Sequence, residues 1–122
     1  MKSLDKQTQG SCRLSFLSIS AHHSEAAEVI WGDANKDQAC TAKDFTDSIN
    51  LAPGAFVNLN MCNSCGLADE ILKNNANTPG ITVWCTDGEN RNIPGARIHW
   101  NLDGGGGKLC SKTHDGTTIL LE

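Results

Sequence analysis

Residues Ile81 to Lys108 read ITVWCTDGENRNIPGARIHWNLDGGGGK, and this stretch decides the fold class. Two alternating segments flank a turn, and a glycine tract follows the second. In the first segment Ile81, Val83 and Cys85 fall on one face, with Thr82, Trp84 and Thr86 on the other. In the second, Ala96, Ile98 and Trp100 share a face opposite Arg97, His99 and Asn101. A period of two carried by β-branched and aromatic residues marks strands, not helix. Asp87-Gly88 supplies turn chemistry, because glycine adopts positive φ without steric cost. The stretch therefore predicts a hairpin with a long loop, running into a flexible polyglycine loop beside Trp100.

The flanking chain follows the same pattern. Residues 1–10 are polar and unpatterned and read as a mobile arm ahead of one domain over 11–122. Cys12 to Ser20 suits a first strand, His22 to Glu25 a connection, and Val29 to Trp31 a short second strand. A helical turn fits Lys43 to Asp47, and Pro53-Gly54 fits a turn. Ala55 to Cys62 alternates cleanly, with Ala55, Val57, Leu59 and Met61 inward and Asn58 and Asn60 outward. One short helix fits Ala68 to Asn74, since Leu67, Ile71 and Leu72 share a side. Lys73 lies near its end, where the helix dipole favours a cation. Thr117 to Leu121 supplies a last apolar strand. Short strands between turn signals, with little helix, indicate an all-β fold, a sandwich or barrel built from antiparallel strands.

Composition narrows the function classes. The 122 residues suffice for a single domain. A net charge of -4 and a pI near 5.5 argue against nucleic acid, which calls for clustered Lys and Arg. No apolar run approaches the about 20 residues of a membrane helix, and the first residues lack the apolar core of a secretory signal. Cys12, Cys40, Cys62, Cys65, Cys85 and Cys110 form an even, spread-out set. Such a set favours a disulfide framework and an oxidising compartment over reduced thiols or metal ligands.

The chemical motifs are weak. Asp33 to Asp37 resembles the opening of a calcium loop, but Gln38 stands where that loop requires glycine. Cys62-Asn63-Ser64-Cys65 is a lone CxxC with no second pair to complete a zinc site, so two structural cysteines are the simpler reading. His22, His23, His99 and His114 stand beside no Ser or Cys in a recognisable nucleophilic arrangement. No cofactor, metal site or enzyme activity is expected on these grounds.

Taken in order, Trp31-Gly32, Lys36-Asp37, Pro53-Gly54, VNLNMCNSCG with Asp69, Pro79-Gly80-Ile81 to Asp87-Gly88, and Arg97-Ile98-His99-Trp100 resemble the aegerolysin family. The resemblance runs from about Val29 to Lys108. It departs after Cys65-Gly66, where the family's Arg-Ser is lost, and after Trp100, where a family Pro-Trp-Gly is replaced by Asn101-Leu102-Asp103 and glycines. It implies a single-domain β-sandwich that binds sphingolipid headgroups at membrane surfaces. It also implies a cytolysin that acts with a larger pore-forming partner, outside cells. Trp31 matches the family's interfacial aromatic, Trp100 a family tryptophan, and Glu70 lies near its acidic headgroup contact. Trp84 joins them on its own alternation. A secreted, disulfide-stapled effector or lectin-like carbohydrate binder is the alternative reading.

Overall fold

Ten elements follow one another in the computed structural model, which describes residues 13–24, 28–31, 40–88 and 107–121. They are β1 (Leu14–Ser20), β2 (His22–Ser24), β3 (Val29–Trp31), β4 (Cys40–Thr41), α1 (Ala42–Asp47), β5 (Leu51–Asn60), α2 (Cys65–Asn74), β6 (Thr82–Asp87), β7 (Lys108–Thr113) and β8 (Gly116–Leu121). The described residues are mostly β, in two packed sheets with two helices. One sheet has five strands in the order β1-β5-β6-β7-β8, and the other three in the order β2-β3-β4.

Strand β5 shows why the core sits where it does. Ala55, Val57, Leu59 and, just beyond the strand, Met61 are all buried, as their alternation requires. Helix α2 covers this face with Leu67, Ala68, Ile71 and Leu72, one stripe of a 3.6-residue period. Val83 and Cys85 of β6 and Cys110 of β7 join the same core. Helix α1 is fixed by Thr41, whose hydroxyl accepts from the Asp44 N–H at 3.1 Å, and it buries Phe45 completely.

The expectation of a mostly β chain holds, but that of purely antiparallel pairing is corrected. β1 pairs parallel with β5, and β5 parallel with β6; only β6, β7 and β8 alternate in direction within the larger sheet. Parallel neighbours need a crossover, and the chain supplies two of them. The small sheet and α1 lie between β1 and β5, and α2 lies between β5 and β6. The helix over Cys65–Asn74 begins earlier than the expected Ala68 and forms the crossover between β5 and β6.

The hairpin is corrected as well. β6 pairs with β7, in the register Cys85 to Cys110 and Trp84 to Ser111. The segment expected as its partner, Ala96 to Asn101, lies outside the described residues. Leu109 and Cys110, directly after the glycine tract, are buried and complete the sheet.

Three further expectations shift. His22 to Ser24 is a strand and not a bare connection. Asn58 and Asn60 are buried, not outward, because their carboxamides donate to Ser18 Oγ at 3.2 Å and Ser20 Oγ at 2.8 Å on β1. Pro53-Gly54 is not a turn between elements, since β5 runs through it with Gly54 at φ +76°, and the β1 register shifts beside it. The Gly54 N–H donates to the Pro79 carbonyl at 2.8 Å. A Cβ on Gly80, also at φ +76°, would stand 3.3 Å from Gly54 Cα and N.

Candidate functional site

Parallel pairing has a consequence for chemistry: β1, β5 and β6 all end at one edge of the sheet. In sheets of this kind the crevice outside the carboxyl ends of the strands is the usual place for a ligand. Past the end of β1 come His22 and His23, past the end of β5 comes Cys62, and past the end of β6 comes Gly88.

The edge draws these residues into contact. His23 Nδ1 lies 2.7 Å from the Cys62 carbonyl oxygen, joining residues 39 apart in sequence. A carbonyl only accepts, so Nδ1 carries the proton, and in the neutral ring Nε2 keeps its lone pair. His23 and Cys62 are both half-buried, each shielded on one side and reachable from the other. The neighbouring His22 stacks on Trp31, with ring centroids 5.5 Å apart and 24° between planes.

Cys62 sits on a tight strand-to-helix turn. Asn63 takes φ +50°, a left-handed conformation that asparagine tolerates better than most residues. The turn is tied down on the β6 side. The Asn63 N–H donates to the Gly88 carbonyl at 2.7 Å, and the Ser64 N–H to the Thr86 carbonyl at 2.9 Å. Ser64, fully buried, accepts the Thr86 N–H through Oγ at 2.9 Å and donates to the Leu59 carbonyl at 3.3 Å. Helix α2 begins three residues beyond Cys62, so first-turn N–H groups without a partner inside the helix lie close to it along the chain.

The residues expected from sequence to meet lipid are spread over three elements. Trp31 is half-buried on the small sheet, and its face is taken by His22. Trp84 is half-buried on the large sheet, where Phe56 meets it edge to face at 5.2 Å and in turn stacks on Phe16 at 5.8 Å. Phe16 is 62 % exposed, the most open of the large apolar side chains among the described residues. Glu70 is exposed on α2 and lines a groove of about 610 Å3 between the two helices, with Lys43, Asp47, Lys73 and Asn74. Trp100 lies outside the described residues.

The cysteines expected to form a disulfide framework are spread over β4, the β5–α2 turn, α2, β6 and β7. Among the described residues no disulfide joins Cys40, Cys62, Cys65, Cys85 and Cys110 to one another, and Cys12 lies outside the described residues. Among the described residues no three His, Cys, Asp or Glu side chains gather in a metal-holding arrangement. No helix among them is long and apolar enough to cross a membrane.

Sequence reading missed the His23–Cys62 pair. The usable signal was positional: each residue stands just past the end of a clearly alternating strand. It gains meaning only once those strands are known to run parallel.

A comparison with family models, with curated proteins and with solved structures finds no match. The site's function therefore has to be argued from its own chemistry.

Proposed function

We propose that the chain is a thiol-dependent acyl-transfer enzyme, a hydrolase of ester or amide bonds, with Cys62 as nucleophile and His23 as general base. The observation that carries this is the 2.7 Å contact between His23 Nδ1 and the Cys62 carbonyl, at the carboxyl ends of adjacent parallel strands. Cysteine and histidine far apart in sequence and adjacent in space are the constituents of a thiol nucleophile and its base. The carbonyl does the work of a third, orienting group, since it fixes the tautomer that leaves Nε2 able to accept a proton.

The chemistry follows in two halves. Nε2 takes the Cys62 thiol proton as sulfur attacks the substrate carbonyl carbon, and the same proton passes to the departing amine or alcohol. A thioester on Cys62 remains. Water, deprotonated by Nε2, then attacks that thioester, and sulfur leaves to recover the proton. Backbone N–H groups in the first turn of α2 are the nearest donors along the chain for the oxyanion formed in each half.

An activated aryl ester tests this. A burst of aryl alcohol and an acyl adduct on Cys62 by mass spectrometry are expected. His23→Ala is expected to slow acylation by about 100- to 10,000-fold, the usual range for a lost general base, with His22→Ala close to wild type. Acylation of another cysteine alone, or unchanged rates in His23→Ala, would refute the assignment.

A second reading rests on the aromatic row. Phe16, Phe56 and Trp84 form a continuous aromatic row with Phe16 open to solvent, which suits insertion into a lipid interface. This favours the sphingolipid-headgroup function drawn from the aegerolysin resemblance, which also implies a pore-forming partner and an extracellular site of action. Pelleting with sphingomyelin vesicles, and its loss in Trp84→Ala, is the expected result. No retention on vesicles with or without sphingomyelin would reject this reading and leave the first untouched.

A further inference from the structure

Behind the Cys62 turn, Cys65, Cys85 and Cys110 pack into the same core beside the start of α2. Cys85 and Cys110 are register partners on β6 and β7, and both are buried. Cys65 opens α2 and is half-buried against the same core. The backbone fixes its neighbour. The Ser64 N–H donates to the Thr86 carbonyl and the Thr86 N–H to Ser64 Oγ, each at 2.9 Å, so Cys65, one residue on, stands beside Cys85, one residue back.

We infer that Cys65 and Cys85 form an oxidant-sensitive dithiol that closes to a disulfide with a hydroperoxide as the oxidant. The site is separate from the proposed hydrolase chemistry and does not depend on it.

The two sulfurs divide the labour. Cys65 reaches solvent, and the Cys85 S–H donates a hydrogen bond to it, which holds the Cys65 thiol below its ordinary pKa; the Lys112 ammonium adds to this. Lys112 is anchored by Asp69, with Nζ 2.9 Å from Oδ1. Cys85 is sealed from solvent, and its hydrogen bond to Cys65 together with burial pushes its thiol far up. Cys65 is thus the sulfur a small oxidant meets first, and its thiolate is the more accessible of the two.

The reaction balances with hydrogen peroxide. The Cys65 thiolate attacks one peroxide oxygen, an S–O bond forms, the O–O bond breaks, and hydroxide leaves to become water with a solvent proton. Cys85 sulfur then attacks the Cys65 sulfenic acid, the S–O bond breaks, and a second water leaves with the Cys85 proton. Two thiols lose two electrons, and one peroxide becomes two waters.

The full chain treated with hydrogen peroxide, with free thiols alkylated afterwards and peptides mapped, tests this. The free-thiol count should fall by two, with a peptide pair joining Cys65 to Cys85 that dithiothreitol releases. Cys110→Ser and Cys62→Ala should keep that pair, whereas Cys65→Ser should lose it. In Cys85→Ser, Cys65 should instead accumulate as sulfinic acid at the same peroxide dose. A dominant Cys62–Cys65 or Cys85–Cys110 bridge in the wild type, or peroxide consumption unchanged in Cys65→Ser, would overturn the inference. Because Cys62→Ala keeps the dithiol intact, failure here and failure of the hydrolase reading are told apart.

Discussion

Ser64 holds more of the local geometry than its size suggests. Its hydroxyl accepts from Thr86 and donates to Leu59, and nothing of it reaches solvent. Ser64→Ala removes the acceptor of the buried Thr86 N–H, while the Leu59 carbonyl keeps the Met61 N–H at 3.0 Å. It should destabilise the chain by about 1–3 kcal/mol in urea titrations, the cost of an unsatisfied buried polar group. The same substitution loosens the turn that holds Cys62, so acylation should slow even where the variant remains folded. Sequence alone could not see this. CNSC reads there as two spaced cysteines around two polar residues, and Ser64 looks like turn filler. Its role depends on β6 lying alongside, a fact set by an alignment of strands twenty residues away. The histidines fared similarly, since the partner of His23 is a backbone carbonyl, which leaves no trace in residue type.

At the scale of elements, Asn75 joins the end of α2 to the start of β5. Its carboxamide oxygen accepts the Leu51 N–H at 3.1 Å, while Nδ2 donates to the Ile71 carbonyl at 2.9 Å and the Ile49 carbonyl at 3.4 Å. A buried asparagine with these bonds terminates the helix and positions the strand with one group. Asn75→Ala should cost about 2–4 kcal/mol as two or more of these groups lose their partners, read as a fall in the urea midpoint with unchanged slope. Element types were largely legible. The alternation of β5 and the apolar stripe of α2 each report a buried face directly, and Leu67, Ile71 and Leu72 are buried as their spacing requires. Pairing was not legible. Alternation says which face of a strand is inward, but not which strand lies beside it or in what direction. The Asn58 and Asn60 burials mislead for a related reason, because asparagine reads as outward until Ser18 and Ser20 on β1 are in reach.

The whole molecule joins a parallel half, built from contacts far apart in sequence, to a local β7–β8 hairpin. Hydrogen exchange should resolve that division. Amides of β5 and β6, with Val57, Leu59, Val83 and Cys85 fully buried, should exchange slowest. Those of β8, which ends the sheet with Ile119 49 % exposed, should exchange first. Uniform protection across the five strands would contradict this layering. One close approach also limits how the chain can vary. Where Gly54 faces Gly80, a methyl group on the second would press on backbone atoms at 3.3 Å, and its φ of +76° adds strain for any side chain. A saturation library screened for soluble expression should therefore return glycine alone at position 80. At position 54, where space is open and only the backbone twist is demanding, asparagine and aspartate should survive beside it.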